Sequence, residues 1–70
     1  MASNYRQKLI DATKNHASAQ VEMHITNVEV LLGSHVGVAE HPNLIETIEN
    51  ELEKAARYQD IHDMAEKYLK

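Results

Sequence analysis

Apolar residues between positions 4 and 32 recur at helical spacing. Ile10, Ala17, Val21, Ile25, Val28, Leu31 and Leu32 fall on one broad face, with His24 among them. A second, weaker stripe lies nearly opposite and carries Tyr5, Ala12, Ala19, Met23 and Val30. A helix packed against one neighbour needs one stripe. Two stripes predict two neighbours, one within the chain and one outside it. The alternative is that Met23 and Val30 are isolated exposed apolar residues, which any protein surface carries. No Gly or Pro interrupts positions 4–32, so the pattern predicts a helix over about 4–32. Asn4 or Ser3 serves as its N-cap, and Gly33 is its stop, since Gly accepts the left-handed backbone that ends helices.

A second helix is predicted over about 44–69. Pro42 disfavours helix at His41 and is tolerated in a first helical turn. Asn43 with Glu46 reads as a capping box. The expected core stripe is Leu44, Ile45, Ile48, Leu52, Ala55, Ala56, Gln59, His62 and Leu69. Tyr58, Ile61, Met64, Ala65 and Tyr68 broaden the apolar face near the C-terminal end. Glu53–Arg57, Asp63–Lys67 and Glu66–Lys70 are spaced for acid-to-base pairs across one turn, each worth about 0.2–0.5 kcal/mol. In the connection, 33–43, Val36 and Val38 are expected to fold back over one end of the core.

The fold class is therefore all-α: an antiparallel two-helix hairpin, one domain over 1–70. Matching residues outward from the connection puts Val28 by Ile48, His24 by Leu52, Ala17 by Gln59 and Lys14 by His62. Val21, Ile25, Val28, Leu32, Ile48 and Leu52 are expected inside each hairpin. Met23, Val30, Ile61, Met64 and Tyr68 are left to meet a partner. Two hairpins packed together make a four-helix bundle, so the expected partner is a second copy, in a homodimer; a larger helical assembly, or a different protein docked on the second stripe, is the alternative.

Composition strengthens this reading. A chain of 70 residues buries too little surface for a large core, and with no Cys it has no disulfides to help. A partner chain is the remaining stabiliser. Phe and Trp are absent and Tyr numbers 3, which disfavours an enclosed ligand pocket. A formal charge of -4 opposes nucleic-acid and anionic-membrane surfaces. There is no apolar run of bilayer length, and residues 1–6 lack the apolar core of a signal peptide, so the expected location is the cytoplasm.

Candidate chemistry is sparse. His62 and Glu66 have the one-turn spacing of metal ligands, and His16 falls near them across the hairpin. His16, His62 and Glu66 form one conceivable metal site. His35, Glu40 and His41 form another in the connection. The competing reading is surface or hydrogen-bonded histidines, and no metal or other cofactor is expected. His24, on the best apolar face, is either a satisfied core residue that fixes register or a pH switch. Catalysis is not expected. Ser34 and His35 are sequence neighbours that make a poor dyad, Glu49 and Glu53 lie on an open face, and no Gly-rich phosphate loop occurs. A nucleic-acid regulator built on the same dimer is the alternative function, using Arg6, Lys8, Lys14, Lys54 and Arg57.

The run Gly37-Val38-Ala39-Glu40-His41-Pro42, then Leu44 to Leu52, and the ending Ala56-Arg57-Tyr58-Gln59-Asp60 through Tyr68-Leu69, resemble small uncharacterised proteins of tailed phages that infect marine cyanobacteria. The resemblance spans the connection and second helix, and the first helix more loosely. It implies a phage protein acting in the host cytoplasm or in virion assembly, a non-enzymatic interaction or structural role. It carries no site residues.

Overall fold

A computed structural model describes residues 2–33 and 43–70, with side chains described from Tyr5 onward in the first of these stretches. Helix α1 spans Ala2–Leu32 and helix α2 spans Leu44–Tyr68. They pack along their length as an all-helical hairpin. The expectations for His35, Val36, Val38, Glu40 and His41 lie outside the described residues. No described helix is long and apolar enough to cross a membrane.

The helix ends differ in detail from the expected caps. Helix α1 begins at Ala2, so Ser3 and Asn4 are helical. Gly33 does not take the left-handed conformation. Its N–H continues the helical pattern and donates to the Glu29 carbonyl at 3.0 Å. Asn43 precedes α2 with φ -98° and ψ 18°, outside the extended region in which a cap side chain reaches back, and makes no side-chain cap bond. The Thr47 N–H and hydroxyl both donate to the Asn43 carbonyl instead, at 2.9 and 3.0 Å.

The seam of α1 follows an alternating step of four and three residues. Ile10, Ala17, His24 and Val28 are buried, and Lys14, Val21 and Leu31 are half-buried. On α2 the same alternation gives Leu44, Ile48, Glu51, Ala55, Tyr58, His62 and Ala65, all buried or half-buried. A repeat of 3.5 residues is what keeps two helices facing each other as they supercoil. This corrects the expected face of α2. Ile45 is 72 % exposed and Leu52 45 %, and Gln59 and Ala56 are also exposed. On α1, Ile25 and Leu32 are exposed as well. Ile25, Leu32, Ile45 and Leu52 each lie one residue beyond a seam position. One residue turns the side chain by about 100°, out of the contact and onto its flank. Counting outward from a hydrogen bond between His24 and Glu51 keeps Val28 near Ile48 and Lys14 near His62. Ala17 comes beside Tyr58 rather than Gln59.

The seam is thin. Among the described residues the buried apolar ones are Ile10, Ala17, Val28, Ala55 and Ala65, and no large side chain is fully buried. The radius of gyration is 16.5 Å, against about 11 Å for a compact domain of this length. Ala17, 1 % exposed, is the least exposed of the buried residues in the seam. Ala17→Leu is therefore expected to overpack the seam and lower stability by about 1–3 kcal/mol, read from thermal melts at fixed protein concentration.

Candidate functional site

The middle of the seam is polar. His24, 7 % exposed, and Glu51 meet there with Nδ1 and Oε1 2.8 Å apart. Asn27, one turn along α1, donates its amide N–H to the same carboxylate oxygen at 2.9 Å. Tyr58 stacks on the His24 ring with centroids 6.2 Å apart, and His16 sits edge-on to Tyr58 at 5.9 Å. The His24 hydrogen bond, foremost, and that of Asn27 hold the Glu51 carboxyl below its ordinary range. An ionised carboxylate only accepts, so Nδ1 of His24 donates. Every buried side-chain polar atom among the described residues has a partner.

This arrangement orients an imidazole, and among the described residues no Ser or Thr hydroxyl hydrogen-bonds to it. Ser34 is outside the described residues, and Thr13 and Thr26 donate to the Leu9 and Glu22 carbonyls at 2.7 Å. The layer suits this pairing of the helices, since a shifted register would part His24 from Glu51 and leave the buried imidazole without that partner.

His16, His62 and Glu66 do not converge. His62 contacts Asp63 at 3.2 Å, and Glu66 reaches across to Lys14 at 3.4 Å. His16 lies against Tyr58 on the other side of the seam. Among the described residues no three His, Asp or Glu side chains gather as ligands. The one-turn pairs Glu53–Arg57, Asp63–Lys67 and Glu66–Lys70 do not close within ion-pair distance. Asp63 instead accepts from Gln59 at 3.0 Å, and its carboxyl is lowered first by His62 and then by Gln59. Of the cations, Lys14 is tied to Glu66. Lys54 and Arg57 share a shallow surface with Asn50 and Glu53, so acid is interleaved with base.

The exposed apolar surface is more extensive than the polar layer. Ile61, Met64 and Tyr68 line one open, largely apolar groove of about 400 Å³, with Leu69 at its edge. An adjoining groove of about 300 Å³ runs across to Leu9, Thr13 and His16. Met23 and Val30 are exposed on α1 but nearer the connection, away from those grooves. Sequence reasoning missed Leu9, 66 % exposed, and the flanking group Ile25, Leu32, Ile45 and Leu52. The signal was present in the four-three step, which assigns each of those four to a flank.

Because the Glu51 pKa is lowered on folding, its contribution is complete above its ordinary value of 4.5 and is lost as pH falls through the folded value. Asp63 acts in the same sense from its ordinary value of 3.8. Glu51→Gln should therefore flatten the acid limb of a melting-temperature profile without abolishing it, and an unchanged slope would remove the His24–Glu51 linkage. No protein-family model, curated protein or solved structure matches this chain.

Proposed function

We propose that the chain is a non-enzymatic interaction or structural protein that works as a homo-oligomer of helical hairpins, foremost a dimeric four-helix bundle. On the resemblance of its second helix it is phage-encoded and acts in the host cytoplasm. The observation that carries this reading is the imbalance between a thin seam and a large exposed apolar surface. Among the described residues, 12 large apolar side chains are at least 39 % exposed, whereas the buried apolar residues are five, three of them alanines. Met23, Val30, Ile61, Met64 and Tyr68 supply part of that surface, each at least 39 % exposed. Covering such surface supplies the stabilisation that the seam lacks.

Light scattering after size exclusion, over a range of concentrations, is expected to give at least twice the 8.0 kDa chain mass. The melting temperature is expected to rise with concentration, as mass action requires for a folded state held by association. Met23→Glu or Val30→Glu should lower the mass while helical circular dichroism at high concentration persists. A mass of one chain at every concentration, with a cooperative melt independent of concentration, would overturn the proposal.

A further inference from the structure

We propose that α1 pairs with α1 of a second copy, antiparallel, through a second seam on its outer side. This rests on the self-association proposed above and specifies its geometry. Positions 5, 9, 12, 16, 19, 23, 26 and 30 repeat the four-three step of the inner seam, and all are exposed. They lie outside the seam with α2, and Leu9, Ala12 and His16 border the groove that Tyr58 and Ile61 of α2 complete. A 3.5-residue repeat stays in contact over seven turns only with another supercoiling helix, so the step itself selects a helical occupant.

Three features make that occupant this helix. The first is shape. With the two-fold axis beside Ala17 and Ser18, Tyr5 faces Val30 of the second copy, Leu9 faces Thr26, Ala12 faces Met23 and His16 faces Ala19. In the inner three of these layers the larger side chain meets a smaller one, which lets the axes approach closely without a void or a clash. The Thr26 hydroxyl is already bonded to the Glu22 carbonyl at 2.7 Å, leaving its methyl group free to pack.

The second feature is charge. Lys8 and Glu29 flank the outer seam and are exposed, and neither makes an ion pair among the described residues. The antiparallel register sets Lys8 opposite Glu29 of the second copy, and symmetry makes the contact twice. The third is the helix dipole. The first turn of α1 has no acid and its last turn no base. Arg6 and Lys8 near the N-terminus and Glu22 and Glu29 in the C-terminal half run against the macrodipole. An antiparallel neighbour brings the basic end of one helix beside the acidic end of the other.

The chain has no cysteine, so introduced thiols report without background. Ala12→Cys chains mixed with Met23→Cys chains are expected to form a disulfide-linked heterodimer under mild oxidation. Either variant alone should link poorly, because the register holds its two thiols about 16 Å apart along the axis. Lys8→Glu or Glu29→Lys should each weaken the dimer about tenfold, and the double exchange should restore it. A dimer that fails both to cross-link in the mixture and to recover on charge exchange overturns the antiparallel seam and leaves self-association standing. A monomer at every concentration overturns both. Circular dichroism of each variant at high concentration separates loss of pairing from loss of helix.

Discussion

The constraint on which the molecule depends is the smallness of what the two helices bury. Ala17, Ala55 and Ala65 let the backbones come close, and Ile10 and Val28 add bulk near the ends. Between them lie Lys14, His24, Glu51 and His62, which need partners as much as they supply contact. Such a seam aligns two helices and does little to hold them. Isolated helices gain their stability from an amphipathic face that is covered, and here one face is covered sparsely and others not at all.

Seen this way, the distribution of exposed side chains is ordered. The outer stripe of α1 follows a repeat as regular as the inner one. Ile61, Met64 and Tyr68 extend the apolar surface along one side of α2, and Ile25, Leu32, Ile45 and Leu52 form a separate patch on the opposite flank. If the outer side of α1 is taken by a second copy, that flank still faces water, at the end nearest the connection.

Much of the fold was legible because it rests on local signals. The uninterrupted stretch before Gly33 and the breaker Pro42 delimit two helices without any knowledge of packing. The two stripes on α1 were equally plain, since Met23 and Val30 stand opposite Val21 and Val28. The rotation of α2 was not. Ile45 and Leu52 are more apolar than Glu51, so a reading by hydrophobicity places them in the seam. The structure instead places Glu51 there, because His24 and Asn27 of α1 complete it. That preference depends on what lies across the interface, and no property of α2 alone contains it. His16, His62 and Glu66 stay apart for a related reason. The spacing of His62 and Glu66 is right within one helix, but their partners, Asp63 and Lys14, were decided by their neighbours.

The shared oxygen of Glu51 also couples two positions genetically. Changing His24 alone to an apolar residue leaves the Glu51 carboxylate at the seam with Asn27 as its one partner, and changing Glu51 alone strands the buried His24 imidazole, while the exposed Asn27 amide turns to water. Each single step is costly, whereas apolar residues at both positions pack without an orphan and can match or exceed the original stability. Such a doubly altered seam would lose its buried polar layer. Lys14 and His62 would remain as polar marks, and pairings displaced by one heptad would lie closer in energy. Single changes at the two positions are therefore expected to cost stability and a paired change to spare it, with the loss of a layer that distinguishes one alignment from another.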